Sequence, residues 1–231
     1  TGSALPGFPS NGTLETENGR DFHFLGEARF LTSLPGIYRI CYCRPQADDP
    51  TKEADSCKGP SSYKAAVGLM TVNGPLQTTT TCALGSACEV TIQGIDLAAG
   101  DAIMIVDGPC GEGGGLEALG FPDLETSVTL QSGDSGYLAN LGNIPTAASP
   151  GVYTICWCPV ANASDCRARR QFRATAGELH VTCPPGYYGV GPTTGRRCGP
   201  CTRGFHCAGG EVNVATRIAC GPDQTTRTSG A

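Results

Sequence analysis

The chain reads PGIYRICYC at residues 35–43 and PGVYTICWC at residues 150–158. Pro, Gly, Tyr, Ile and both Cys keep their positions in the two stretches. The likeness continues downstream, where residues 63–72 align with residues 172–181. It also continues upstream, because a Gly-Phe-Pro begins at Gly7 and again at Gly120. Self-similarity of this kind indicates an array of repeats.

The two copies differ in what precedes their Gly-Phe-Pro, since residues 73–119 have no counterpart before Gly7. We therefore expect the first copy to be the back half of a repeat, completed either by sequence cut away upstream or by a strand that a neighbouring chain donates. The cysteine-dense end is expected to be a small module that is itself truncated. The predicted domains are a half repeat over 1–74, a complete repeat over 75–182 and a cysteine-rich module over 183–231.

Cysteine usage points to an oxidising compartment, because 14 Cys occur in 231 residues together with only 2 Met and 1 Trp. Zinc is the main alternative, yet a single Cys-x-x-Cys occurs, at Cys198 and Cys201, without a second at finger or ribbon spacing. No apolar run reaches membrane-spanning length. We expect an extracellular chain with no metal or other cofactor and no membrane span.

The local pattern is β throughout. Apolar and polar residues alternate over 88–92, 127–130 and 152–157, and in part over 102–106, with Gly and Pro between these runs. About seven short strands in a repeat of roughly 110 residues predict an all-β fold of tandem immunoglobulin-like antiparallel sandwiches, followed by the cysteine-rich module. The run Thr78–Thr81 is predicted to begin an extended linker, with O-glycosylation as the alternative.

Along the signature strand, the period of two places Tyr153, Ile155 and Trp157 on one face and Cys156 and Cys158 on the other. The tyrosine three residues before the first cysteine is similar to the tyrosine corner of immunoglobulin-type sandwiches, where the spacing is two.

Disulfide pairing is open, because six cysteines allow fifteen connectivities. The preferred set joins Cys158 to Cys166 across a hairpin, Cys88 to Cys156 between sheets, and Cys82 to Cys110. The repeat then pairs Cys43 with Cys57. The other disulfide candidates belong to the C-terminal module: Cys183, Cys198, Cys201, Cys207 and Cys220.

Charge is segregated along the chain. Residues 1–166 carry 7 basic and 18 acidic side chains, a net −11, whereas residues 167–231 carry 9 basic and 3 acidic ones, a net +6. Such ends are complementary under translation and favour head-to-tail association, with simple solubility as the plain alternative. A weaker alternative is that the acidic residues bind calcium, with Asp96, Asp101 and Asp107 as ligands.

The basic end is led by an arginine cluster. We expect structural arginines on an edge strand, with a processing site or binding of acidic glycans as the alternatives. The cluster consists of Arg167, Arg169, Arg170 and Arg173.

Two sequons, at Asn11 and Asn162, suit a glycosylated secreted chain. No catalytic constellation is found: His23, His180 and His206 lack partner spacing, and neither a nucleophile elbow nor a phosphate-binding glycine loop is present. The negative net charge and low aromatic content argue against nucleic acid. The sequence therefore predicts a protein that is not an enzyme.

The C-terminal residues Cys183-Pro-Pro-Gly-Tyr-Tyr-Gly, followed by Cys198-x-x-Cys201 and Cys207-x-Gly-Gly, resemble the ephrin-receptor-like cysteine-rich module of protist surface proteins. The repeats, with Ala99-Gly100-Asp101 leading to Cys110-Gly111 and then the signature strand, look like the immunoglobulin-like repeats of algal and other protist extracellular proteins. The two groups of proteins that this resemblance suggests are flagellar-hair (mastigoneme) proteins and apicomplexan cysteine-repeat modular proteins. The resemblance implies a modular, glycosylated extracellular chain and no catalytic residue.

The leading functional hypothesis is a structural protein that assembles head-to-tail into a filament, sheath or flagellar hair at the cell or flagellar surface. Its partners would be copies of itself or neighbouring modules, with glycans as further candidates. The alternative is an adhesion or receptor ectodomain that binds a protein or glycan ligand.

Overall fold

The computed structural model describes residues 8, 14–16, 22–24, 33–43, 62–111, 127–159, 166, 168–191, 196–209 and 218–219, with 14–16 and 22–24 described by backbone alone. By backbone contacts the chain divides into a first unit, Thr1–Asn73, and a second unit, Gly74–Ala231. Each unit is described by itself.

The described elements are β-strands, together with a 3-10 turn at Arg169–Gln171. The described part of the chain is therefore all-β, as the alternation predicts. In order, the strands are β1 Leu14–Thr16, β2 Phe22–Phe24, β3 Gly36–Tyr42, β4 Ala65–Val72, β5 Gly74–Pro75, β6 Thr78–Ala83, β7 Ala87–Ile92, β8 Gly94–Ile95, β9 Ala102–Val106, β10 Val128–Thr129, β11 Gln131–Gly133, β12 Gly136–Asn143, β13 Gly151–Cys158, β14 Ala174–Thr182, β15 Tyr187–Val190, β16 Arg197–Pro200, β17 Phe205–His206 and β18 Ile218–Ala219.

Two sheets organise the second unit. One has five strands in the order β10-β9-β13-β14-β6, and the other has three in the order β11-β12-β7. Neighbouring strands are antiparallel except β14 and β6, which run parallel from Gly177↔Thr78 to Thr182↔Ala83. The prediction of a purely antiparallel arrangement is therefore wrong at this edge.

The parallel edge strand β6 is the threonine run that the sequence predicts to begin a linker, and that prediction is also wrong. Threonine is β-branched and suits a pleated strand. Gly177 permits the pairing, because it has φ +145° and a Cβ there would lie 1.9 Å from the carbonyl oxygen of Thr78. A glycine at a bulge thus allows the close approach of a neighbouring backbone.

The two sheets share one apolar core. Side chains of β7 and β9 meet side chains of β13 and β14 in a single cluster, which includes Val90, Ile92, Ile105, Ile155 and Leu179. The predicted alternation along β13 is confirmed: Tyr153, Ile155 and Trp157 belong to this cluster, whereas Cys156 and Cys158 belong to a second one with Met104, Cys166 and Phe172.

The disulfides of the second unit follow from these faces. Cys158 pairs with Cys166, as predicted. Cys82 pairs with Cys88, and Cys110 pairs with Cys156. The predicted pairs Cys88–Cys156 and Cys82–Cys110 are wrong, because Cys88 lies in the core between the sheets while Cys156 points away from it.

The C-terminal part is stapled by Cys183–Cys198 and Cys201–Cys207. It forms the antiparallel pairs β15–β16 and β17–β18. Cys198 packs against the larger apolar cluster, and this contact places its disulfide beside the core of the sheets.

The first unit contains two antiparallel pairs, β1–β2 and β3–β4. The ring of Phe8 contacts that of Tyr38 edge-on, with centroids 4.9 Å apart. Cys43 is disulfide-bonded. Its predicted partner, Cys57, lies outside the described residues. Cys41 is a free, exposed thiol.

A buried carboxylate connects three segments of the second unit. Asp101 Oδ2 accepts hydrogen bonds from Trp157 Nε1 at 3.1 Å and from the Ala98 backbone N–H at 3.0 Å. The Asp101 carbonyl accepts a bond from the Leu130 N–H at 2.6 Å. The sequence offers Asp101 as a calcium ligand. In the structure one of its carboxylate oxygens accepts hydrogen bonds from two donors of the same chain.

Removing the Cys110–Cys156 disulfide should cost more stability than removing Cys82–Cys88. The first closes a 46-residue separation and the second a 6-residue one, so the chain-entropy relation gives about 4 against about 2 kcal/mol. Denaturant titration of the two double Cys→Ala variants measures the difference. Equal losses would contradict the assignment.

The Asp101→Ala substitution should destabilise the second unit by about 2 to 4 kcal/mol, because it leaves two donors, one of them a buried indole N–H, without their acceptor. The matched control is Asp134→Ala, which removes an exposed carboxylate and should stay within about 0.5 kcal/mol. Thermal unfolding of both variants would decide, and equal melting temperatures would rule out the role assigned to Asp101.

Candidate functional site

The five-stranded sheet carries an open cleft of about 590 Å³. Three strands supply its walls, since Thr79 lies on β6, Thr154 on β13 and Thr175 on β14. The segment after β9 closes one end. The full lining is Gln77, Thr78, Thr79, Gly108, Pro109, Thr154, Thr175, Gly177 and Glu178.

The chemistry of the cleft is polar and mostly uncharged. Threonine hydroxyls both donate and accept hydrogen bonds, and the Glu178 carboxylate only accepts. Glu178 Oε2 lies 3.1 Å from His180 Nε2, so this carboxylate already has a partner on its own strand. No aromatic ring lines the cleft. The arrangement can hold hydroxyl or amide groups.

One wall of the cleft leads to the arginine cluster. Thr175 Oγ1 lies 3.5 Å from Cys110 Sγ, the sulfur that is bonded to Cys156. A Cβ at the next residue, Gly111, would lie 3.3 Å from Arg173 Cγ. Arg173 Nε in turn donates to the Arg170 carbonyl oxygen at 2.8 Å. The disulfide therefore joins the threonine-lined wall to the arginines.

The expectation that these arginines lie on an edge strand is wrong. Arg169 and Arg170 form the 3-10 turn that precedes β14, and β14 itself lies between β13 and β6. The Gln171 side chain closes the turn by accepting the Ala168 N–H at 2.6 Å. The turn leads directly to the fully buried ring of Phe172. Arg170 and Arg173 are exposed, and Arg167 lies outside the described residues.

Several other predicted positions also lie outside the described residues, namely the sequons Asn11 and Asn162 and the cysteines Cys57 and Cys220. Of the calcium candidates, Asp96 and Asp107 are exposed and Asp101 is buried. Where side chains are described, no group of three or more His, Cys, Asp or Glu is placed to hold a metal ion. Within the same residues, no helix has the length and apolarity to cross a membrane.

Two features of this surface were missed by sequence reasoning. The threonine run forms one wall of the cleft, and its β-branched composition was the available signal. The contact between Thr175 and Cys110 depends on which cysteine reaches Cys156, and no local pattern indicates that pairing.

The core beneath the cleft holds a perturbed tyrosine. Burial raises the pKa of Tyr153 to about 12 from an ordinary value of 10, and the nearby carboxylate of Asp107 adds to the rise. The Tyr153 hydroxyl donates to the Ser149 carbonyl oxygen at 2.6 Å. Its neighbour on the strand, Thr154, faces the cleft.

Stability should fall as pH rises from 10 towards 12. The folded pKa of Tyr153 is the higher one, so its contribution is complete below pH 10, where both states are protonated, and is lost as the unfolded chain ionises first. Urea titrations between pH 9 and about 11.5 should show a smaller loss for Tyr153→Phe. Tyr187→Phe, at an exposed position, is the control. Parallel curves for all three proteins would contradict the shift.

Comparison of the chain with protein-family models, with curated protein sequences and with solved structures found no match.

Proposed function

We propose that this chain is part of an extracellular structural protein in which disulfide-stapled β units repeat along the polypeptide and assemble head-to-tail into a filament, sheath or flagellar hair. The observation that carries the proposal is the recurrence of one local geometry. Tyr38 donates its hydroxyl hydrogen to the carbonyl oxygen four residues before it, at Leu34, and Tyr153 does the same to Ser149. Units that repeat one geometry along a chain can stack on their neighbours and form extended assemblies.

These tyrosine hydrogen bonds also favour the finer assignment of the repeats as immunoglobulin-like sandwiches, because a tyrosine corner bonds back to the backbone a few residues upstream. The two hairpins share a further detail: the register breaks between Ile40 and Cys41 in one, and between Ile155 and Cys156 in the other. We assign both hairpins to the same repeat type on this ground.

The disulfides favour the extracellular location. Five bonds with both cysteines described join strands or close turns in a chain of 231 residues. Such density is typical of secreted proteins, where oxidising conditions maintain the bonds. We place the protein on a cell or flagellar surface, in line with its resemblance to protist surface repeats.

The charge pattern supports head-to-tail contacts. Glu89, Asp107 and Asp134 of the acidic stretch are exposed, and so are Arg170 and Arg173 of the basic end. Exposed charges of opposite sign would attract successive copies and fix their order. Asp101 does not take part, because it is buried.

Assembly that depends on these charges should weaken with salt, because the Debye length falls from about 30 Å at 0.01 M to about 3 Å at 1 M. Sedimentation and negative-stain microscopy of the purified chain should show filaments at low salt and their loss at high salt. Arg170→Glu should reduce assembly, and Lys64→Glu, an exposed charge reversal outside the basic end, should not. Assembly that is indifferent to both changes would refute the electrostatic contact.

The second candidate is an adhesion or receptor ectodomain, favoured by the polar cleft that adjoins the arginines. Sulfated glycans present sulfate groups to arginine and hydroxyls to threonine. Binding of a sulfated oligosaccharide to the non-assembled chain, abolished by Arg173→Ala and Thr175→Val, would favour this function over the filament.

A further inference from the structure

The two units contain the same hairpin in different surroundings. β13–β14 and β3–β4 have matching registers and the same bulge, which places Gly177 and Gly68 at equivalent positions. β13–β14 is flanked by β9 on one side and by β6 on the other. Among the described residues, β3 and β4 pair only with each other. Both outer edges of the first hairpin are therefore unpaired in this part of the chain.

The face that forms the core in the second unit is open in the first. Trp157 is 8 % exposed, whereas its counterpart Tyr42 is 40 % exposed; Ala176 is fully buried, whereas its counterpart Val67 is 52 % exposed. In the second unit, strands β7 and β9 supply much of the cover. Residues 73–119, which contain those strands, have no counterpart between Thr1 and Gly7.

The glycine at the bulge differs in its surroundings between the two hairpins. At Gly177 a Cβ would collide with the backbone of Thr78 on β6. At Gly68 a Cβ would meet nothing within 4 Å. Its φ also lies outside the region that favours glycine. Among the described residues, neither backbone conformation nor packing requires a glycine at residue 68, whereas a β6-type strand beside β4 would.

Cys41 is a third difference between the two hairpins. Its counterpart Cys156 is fully buried and bonded to Cys110, which follows β9. Cys41 is exposed and free. A β9-type strand paired with β3 would bring a cysteine to Cys41 in the way that β9 brings Cys110 to Cys156.

We propose that the β3–β4 hairpin is the docking site for a front-half segment of this same repeat, meaning a polypeptide segment with the strands and cysteine of residues 74–111. Its β6-type strand lies parallel to β4 across Gly68. Its β9-type strand lies antiparallel to β3, and its terminal cysteine forms a disulfide with Cys41.

The disulfide step is a thiol–disulfide exchange. The two thiols, one on Cys41 and one on the segment, are oxidised to one disulfide, while a small-molecule disulfide such as oxidised glutathione is reduced and leaves as two thiols. An intact second copy of the chain is not the occupant, because its own front half is held by β13, by β14 and by the Cys110–Cys156 bond.

The probe is a synthetic peptide of residues 74–111 with Cys82 and Cys88 oxidised and Cys110 reduced. Mixed with the 231-residue chain in a glutathione redox buffer, it should form a 1:1 adduct, and peptide mapping should find Cys41 bonded to Cys110. Docking raises the local thiol concentration, so the adduct should form at least about tenfold faster than with a scrambled peptide that keeps its cysteines. Equal rates for the two peptides would overturn the proposal.

Gly68→Val tests the edge independently of the sulfur chemistry. In the free chain it should leave the melting temperature unchanged, because open space surrounds the position. It should abolish binding of a Cys110→Ser peptide to the Cys41→Ser chain, measured by calorimetry, whereas Thr129→Val, an exposed strand position in the second unit, should leave that binding intact. Unchanged binding by Gly68→Val would overturn the proposal.

A further experiment uses the 231-residue chain without any peptide. A disulfide-linked homodimer through Cys41, formed without peptide and blocked by Gly68→Val, would show that a second copy occupies the hairpin and would overturn the assignment of a front-half segment. The proposal does not rest on filament formation, since the peptide can bind a chain that does not assemble.

Discussion

The alternation of side chains along β13 is the constraint on which the second unit depends. One face of this strand carries Tyr153, Ile155 and Trp157 into the core between the sheets, and the other carries Cys156 and Cys158 into the outer cluster. A shift of one residue in the strand register would exchange the two sets and would turn the cysteines, in place of Tyr153, Ile155 and Trp157, towards the core. The Trp157 indole, which donates to Asp101 just before β9, ties this face to a neighbouring segment, and the Tyr153 hydroxyl donates to Ser149 just before β13.

That division of faces explains the disulfides. Core-facing cysteines pair locally, as Cys82 and Cys88 do across the β6–β7 turn. Outward-facing cysteines fasten the segments that cross the outer surface, so Cys156 holds the segment after β9 and Cys158 holds the connection to β14. The candidate site lies on this outer surface, where the Cys110–Cys156 disulfide joins a threonine-lined wall to exposed arginines.

The comparison of the two units separates what a hairpin does alone from what its neighbours add. The tyrosine hydrogen bond, the register and the bulge occur in both units, because they depend on residues of the hairpin and its entry alone, with cross-strand partners at most 36 positions apart. Among the described residues, the aromatic face is buried and the first cysteine is oxidised only in the second unit, where flanking strands are present. The hairpin is thus a local structure, and its core is a property of the assembled unit.

The sequence by itself determined the β class, the positions of the main strands, the repeat and the two faces of β13, because a period of two and the turn residues are local signals. Only the tertiary structure decided that Cys110 and not Cys88 reaches Cys156, that the threonine run is a parallel edge strand, and that Asp101 is a buried acceptor and not a surface charge. Each of these depends on which distant segments share an edge or a face. Such contacts join residues 46 to 99 positions apart, a range over which no periodic pattern carries information.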